Sequence, residues 1–325
     1  MPLRLFGRVV VTALSFCTIA AAASAQSYPT KPIKLIAPNP PGGGFDFVGR
    51  ASAPGMSQLL GKQVVVENKT GSGTLVGTDY ASKQAPDGYT LLVGSTSNLA
   101  INPGLYSKLP YDPVKDFVLV RLLVSVPFAL VVNDKLPVNS LAEFIDYAKK
   151  NPGKLNYGSA GNGSGQHIAG ALLAVTAKLN VQHVPYRGAA AATNDLLAGR
   201  IQFFVDNAAS IVNMIDAKKV KAFAVTGEKR WPRMPTLPTY SEYFKHDVSL
   251  EAWFGIFART GTPKAVIDKL ASALDKMMQD KKTLDRFAAV GYVRNDRNPA
   301  DSAAYVAKEM KRWPAFLHEA KIRIN

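Results

Sequence analysis

The chain has 325 residues, 47% of them hydrophobic, with 39 Lys and Arg against 24 Asp and Glu for a formal charge of +15. The basic residues are scattered, with no run of five or six and no interleaved aromatics, which argues against a nucleic-acid-binding surface. The single cysteine, Cys17, lies near the start of the chain, so the remainder has no disulfide, thiolate metal site or cysteine nucleophile.

Residues 1–25 read as a secretory signal. Arg4 and Arg8 supply the charged start, residues 9–22 are apolar, and Ala23-Ser24-Ala25 is a small-residue cleavage site before Gln26. The apolar run is shorter than the roughly 20 residues that span a bilayer. Phe16 stands before Cys17 where lipid attachment calls for a small residue. Cleavage after Ala25 removes two arginines and no acid, leaving +13 on residues 26–325. A chain of this length allows about two domains, and export without disulfides suits a bacterial periplasm.

Strand-like and helix-like segments then alternate. Residues 33–37 predict a short strand, 46–60 a helix stopped by Gly61, 64–66 a β-branched strand, 74–83 a helix and 89–93 a strand. Residues 116–132 are β-rich but interrupted by Pro127, which predicts two strands with a crossing point between them. Residues 140–150 predict a helix capped by Ser140, with Glu143 three residues on. Strands follow at 155–157, 181–186, 201–205 and 220–226, separated by helices at 166–179, 189–198 and 210–217. An aromatic strand over 249–258 and helices over 264–279 and 303–318 close the chain. Ten-residue helices between strands imply βαβ units and mostly parallel sheets, with ligands meeting the carboxyl ends of the strands.

Two glycine-rich turns occupy such ends: Pro40-Pro41-Gly42-Gly43-Gly44-Phe45-Asp46, and Gly158-Ser159-Ala160-Gly161-Asn162-Gly163-Ser164. Each leaves bare N–H groups at a helix start, where the positive end of the helix dipole favours an anion. Neither carries the lysine of a nucleotide loop. One such turn in each of two lobes suits a small anionic ligand held between them. No reacting group is evident. The nucleophile elbow, the P-loop and the metalloprotease helix motif are all missing, and His167, His183, His246 and His318 have no ligand spacing. Gly71-Ser72-Gly73-Thr74-Leu75-Val76-Gly77 imitates a dinucleotide loop, but its third glycine is one residue late. An enzyme, a metal site and a cofactor are therefore not expected.

Several ordered segments resemble the periplasmic solute-binding proteins of tripartite tricarboxylate transporters, the Bug family. They are Tyr28-Pro29-Thr30-Lys31-Pro32-Ile33, the first glycine turn, Val66-Glu67-Asn68-Lys69-Thr70-Gly71, Pro86-Asp87-Gly88-Tyr89-Thr90-Leu91-Leu92 and Tyr111-Asp112-Pro113-Val114-Lys115-Asp116-Phe117. Tyr157-Gly158-Ser159-Ala160-Gly161, His183-Val184-Pro185-Tyr186-Arg187-Gly188 and Gly261-Thr262-Pro263 complete the set. Any one is weak, whereas the order and spacing span nearly the whole chain after residue 25. The resemblance implies an α/β fold of two lobes, a type II-like periplasmic-binding-protein clamshell with two crossing strands as hinge. Lobe one would hold 28–126 plus 249–325 and lobe two 127–248. It also implies an extracytoplasmic receptor that captures a small carboxylic acid and delivers it, as a monomer, to a large and a small inner-membrane transporter subunit. A sensor kinase as partner, or a periplasmic enzyme acting on a small organic acid, are the alternatives.

Candidate ligand residues follow from the turns and the strand ends. Gly42, Gly43 and Gly44 let backbone approach a carboxylate. The family often has a small or β-branched residue at position 45, so Phe45 would narrow the pocket or offer a face to an aromatic acid. Asp46 either caps its helix or orients water or an ammonium group. Ser95, Ser97 and Asn98 follow the strand over 89–93. Ser159, Gly163 and Ser164 offer hydroxyls and amides from the second turn. His167, in a helix's first turn, is expected to be neutral because the dipole there is positive. Arg187 could grip a carboxylate bidentately, with Tyr186 beside it, and Asp206 and Asn207 end the next strand. Trp253-Phe254 is either an aromatic wall or hinge packing.

Overall fold

The structure, a computed structural model, describes residues 28–323. The expected signal peptide lies outside the described residues. Strand β1 (Ile33–Ala37) is flanked in parallel by β2 (Val64–Asn68) and β3 (Thr90–Ser95). Helices α1 (Gly44–Leu60) and α2 (Leu75–Ser82) connect them, and β3 runs into a π-helical turn, Thr96–Ile101, and the short α3 (Asn102–Leu105). α1 stops where Gly61 enters the left-handed region at φ +71°, a conformation glycine adopts without a Cβ clash.

β4 (Phe117–Asn133) is one strand of 17 residues rather than the expected two. Up to Pro127 it pairs antiparallel with β9 (Glu251–Arg259). From Phe128 onward it pairs with β7 (Phe203–Asn207) on one side and β8 (Val220–Val225) on the other. Proline lacks the ladder donor, and here it stands where the strand changes partners, so the strand is not broken. Thr226, fully buried, secures the change. Its Oγ1 accepts from Phe128 N–H at 2.9 Å and donates to the Leu250 carbonyl, while its own N–H donates to Phe128 O at 2.8 Å and Leu250 N–H donates to Thr226 O at 2.7 Å.

The second sheet continues from β7 through β5 (Asn156–Ser159) to β6 (Gln182–Pro185), all parallel. Its helices are α4 (Leu141–Lys150), α5 (Gly165–Ala177), α6 (Ala189–Leu197) and α7 (Ala208–Asp216). Ser140 caps α4 as expected, accepting from Glu143 N–H, but the Glu143 carboxylate reaches Asn139 N–H rather than that of Ser140. After α8 (Tyr240–Phe244) the chain returns through β9 to the first sheet. There α9 (Lys264–Met277), α10 (Lys281–Ala289), β10 (Val293–Arg294) and α11 (Pro299–Glu319) complete it. β10 pairs with β4 at Ser125 and Val124, and α11 buries Trp313 and Leu317 against the turn after β3.

Candidate functional site

α1 and α5 begin alike. Gly43 and Ser164 are the caps, Gly44 and Gly165 the first helical residues, and Asp46 and His167 the third. In each helix the third side chain reaches back four residues to a glycine amide. Asp46 Oδ2 accepts from Gly42 N–H at 2.9 Å, and His167 Nδ1 accepts from Gly163 N–H at 3.1 Å. Gly42 and Gly163 sit at φ +84° and +77°, which turns those amides inward at no steric cost. Ser164 Oγ additionally accepts from His167 N–H at 3.2 Å. Among the described residues, the amides of Gly44, Phe45, Gly165 and Gln166 donate to no protein acceptor.

Each helix start rests on a phenylalanine from a crossing strand. A Cβ on Gly44 would meet Phe254 Cζ at 2.8 Å, and one on Gly165 would meet Phe128 Cζ at 2.6 Å. A side chain at either first helical position would therefore push a ring of the cleft wall aside.

Both starts open on one cleft of about 520 Å³. Of the residues expected from sequence, Gly42, Gly43, Gly44, Phe45, Ser95, Ser97, Gly163, Ser164 and Asn207 line it. The others, apart from Arg187, stand behind the lining. Asn98 is fully buried and builds the turn after β3, accepting from Ser95 N–H at 2.8 Å and donating to Thr78 Oγ1 at 3.0 Å. Asp46 accepts from Asn68 Nδ2 at 2.9 Å and Arg50 Nε at 2.8 Å. Burial alone would raise its carboxyl, but these bonds and the Gly42 amide outweigh burial and hold it below the usual range. Ser159 is fully buried, 2.7 Å from His183 Nε2. The His183 ring stacks on that of His167 at 3.9 Å between centroids. Burial pushes His167 down to about 4, and burial with the neighbouring His167 does the same to His183. Burial, not the helix dipole invoked from sequence, is what disfavours the charged form of His167. Tyr186 OH donates to Asp195 Oδ2 at 2.8 Å, on the α6 side. Asp206 is 1% exposed. Arg187 is exposed, one residue from the cleft-lining Gly188.

The pair Trp253-Phe254 divides between the two roles read for it. Side chains alternate along a strand, so Phe254 lines the cleft while Trp253 is fully buried in the core. Phe254 packs edge-on against Phe45 at 5.4 Å and against Tyr292 at 5.7 Å between centroids, forming one aromatic wall. Phe128 faces it from the second sheet's half of β4. The lining residues that sequence reasoning missed include Asn39, Thr74, Asn102, Tyr106, Gln166, Ser210 and Tyr292. Gln166 had a readable signal as the second residue of a glycine-started helix. Tyr292 and Tyr106 had none, because only tertiary folding carries them to the cleft.

Among the described residues, the lining contains no Asp, Glu, Lys, Arg or His. Its polarity comes instead from helix starts. Gly43 and Gly44 open α1, Ser164 and Gly165 open α5, Gly188 and Ala189 open α6, Asn207 caps α7, and Ser95 caps the π-helical turn. Each partly buried helix start favours an anion by up to about 2 kcal/mol, so the convergence creates a positive potential with no cationic side chain.

The description "Tripartite tricarboxylate transporter family receptor" matches residues 48–322. The chain is 35% identical over 301 residues to a UPF0065 protein in the tcbD-tcbE intergenic region of Pseudomonas sp. (strain P51), covering 92% of this chain and 89% of that protein. It is 32% identical over 308 residues to the protein BugT of Bordetella pertussis, covering 94% of each. The fold is similar to that of the periplasmic binding protein BugD, with a TM-score of 0.79 and 34% identity over 91% of this chain and 100% of that one. It is also similar to a protein of R. palustris solved with adipate, with a TM-score of 0.82 and 30% identity over 92% and 100%. MatC of Rhodopseudomonas palustris, solved with bound malate, gives a TM-score of 0.77 and 29% identity over 89% and 99%.

Proposed function

The chain belongs to the tripartite tricarboxylate transporter receptor family, and from that premise we propose that its cleft captures a small carboxylic acid in the periplasm and hands it to membrane transporter subunits, large and small, with the receptor acting as a monomer. What carries this reading is that both glycine turns open on a single cavity whose lining, among the described residues, has unpaired helix-start amides and no charged side chain. Such a site favours an anion without forming a permanent ion pair, which suits reversible capture. The adipate and malate of the two solved relatives are acids of the same kind.

The proposed contacts are the amides of Gly42 to Phe45 and of Gly163 to Gln166, with Ser95, Ser97 and Asn207 at the cleft wall. Asp46, Asn98, Ser159, His167, Tyr186 and Asp206 hold those groups in position from behind. The body of the acid lies along Phe45, Phe254 and Tyr292, a wall that accepts an aromatic ring as readily as a methylene chain. We place the lobes at 28–126 plus 249–325 and 127–248. The change of β4 partners at Pro127 and the Thr226 bridge to Leu250 support these boundaries. Expulsion of the 1–25 signal would release the receptor into the periplasm.

The test is a thermal-shift panel of aliphatic dicarboxylates and aromatic acids. A one-site ligand at a hundred times its Kd adds about 2.7 kcal/mol, which for a chain of this size raises Tm by about 5 °C. A panel in which no acid moves Tm would remove the carboxylate reading.

A further inference from the structure

Gln166 lines the cleft from the second position of α5. Its Nε2 donates to Asp206 Oδ1 at 3.1 Å. The same oxygen accepts from the backbone N–H of Asn207 at 2.8 Å, and Asp206 is 1% exposed at the end of β7. Because the Asn207 N–H donates to Asp206 Oδ1, that oxygen is fixed as an acceptor and has no proton to offer Gln166. It therefore dictates which end of the Gln166 amide faces it: the nitrogen turns to Asp206 and the carbonyl oxygen is left for the cleft. That oxygen accepts from no described residue and is not among the buried unpartnered atoms.

Gln166 Oε1 is thus an acceptor held open in a cleft whose backbone groups at the helix starts are donors. It would repel a second carboxylate placed against it. An ammonium group has no anionic partner in the lining and faces the positive ends of several helices, which disfavours an amino acid. A neutral hydroxyl satisfies the oxygen without either penalty. We propose that Gln166, oriented by the buried Asp206, selects an acid that carries a hydroxyl group in addition to its carboxylate. This rests on the carboxylate reading above and narrows it from acids in general to hydroxy acids, with Asp206 as a positioning residue that does not touch the ligand.

The experiment is calorimetry on matched pairs that differ only by the hydroxyl: malate and succinate, lactate and propionate, 4-hydroxybenzoate and benzoate. At least one hydroxylated member is expected to bind ten times tighter than its partner. Gln166→Leu should bring that ratio to about one, and Asp206→Ala, which removes the acceptor that holds Nε2 and frees the amide to turn, should lower it as well. A ratio that survives Gln166→Leu, or deoxy acids preferred in every pair, overturns the proposal. Binding of neither member of any pair would instead sink the carboxylate reading itself. Because the readout is a ratio within one protein, a general loss of affinity or fold does not mimic the expected result. Should Asp206→Ala fail to fold, Gln166→Leu decides alone.

Discussion

A guanidinium is the strongest single grip a side chain has on a carboxylate, yet the cleft lining contains none among the described residues. Arg187 looked suited to that task from its place after a strand end, but its side chain is exposed. The neighbouring Gly188 and Ala189 line the cleft and present the start of α6 in its place. Arg187→Ala is accordingly expected to change the affinity for a bound acid by less than threefold, measured by calorimetry. A tenfold loss would mean that Arg187 swings onto the ligand when the lobes close. The residues readable from sequence were those whose chemistry is local: glycines at a helix start, a capping serine, an aromatic beside them. Whether a polar side chain faces the cleft or the backbone behind it was not local. Asp46, Asn98 and Asp206 all lie within a few residues of lining groups, and each satisfies the loop's own amides, because an orphan N–H next to a buried carboxylate or amide is claimed by it.

The paired helix starts repeat one device with different chemistry. On α1 the acceptor for the glycine amide is a carboxylate, held ionised by Arg50 and Asn68; on α5 it is a neutral imidazole stacked on a second one. The two therefore respond differently to acid. His167 and His183 have folded values near 4 against about 6.5 when unfolded. Their contribution to stability is complete above 6.5 and is lost as pH falls toward 4, because the unfolded chain takes up the protons first. Tm measured from pH 7 to pH 4 should fall through that window, and the His167→Gln, His183→Gln variant should give a flatter curve over the same range. Equal slopes in the two proteins would dissociate the imidazole pair from acid sensitivity. At this scale the alternation of strands and helices was legible from hydrophobic spacing. The departures had physical causes. Pro127 reads as a strand breaker but sits where β4 exchanges partners. α10, starting Lys281-Lys282-Thr283 after the Asp280 cap, is mostly polar and buries Phe287 and Thr283 with Leu284 partly buried beside them, so its apolar signal is thin.

The hinge ribbon of β4 and β9 has two faces, and a cavity lies on each. Directly opposed residues of an antiparallel pair share a face. Val126 with Ala252 and Val124 with Phe254 thus belong to one face, and Ser125 with Trp253 and Pro127 with Glu251 to the other. Ala252 and Phe254 line the ligand cleft; Ser125, Pro127 and Glu251 line a second cavity of about 420 Å³ behind it. A rotation that shuts the front must open the back. Arg297 of the first sheet's side spans that back cavity to Glu228, which precedes the return crossing, with Nη2 to Oε2 at 2.8 Å and its guanidinium 4.1 Å from the Tyr305 ring centroid. The pair is partly exposed, so it is worth at most about 1 kcal/mol, but all of it resists closure. Arg297→Met keeps the packing on Tyr305 and removes the charge. It is expected to raise ligand affinity by up to about fivefold and to reduce the radius of gyration of the ligand-free protein in solution scattering. The two changes must occur together: tighter binding with an unaltered radius would place the effect in the cleft, and weaker binding would mean that the Arg297–Glu228 pair favours the shut form.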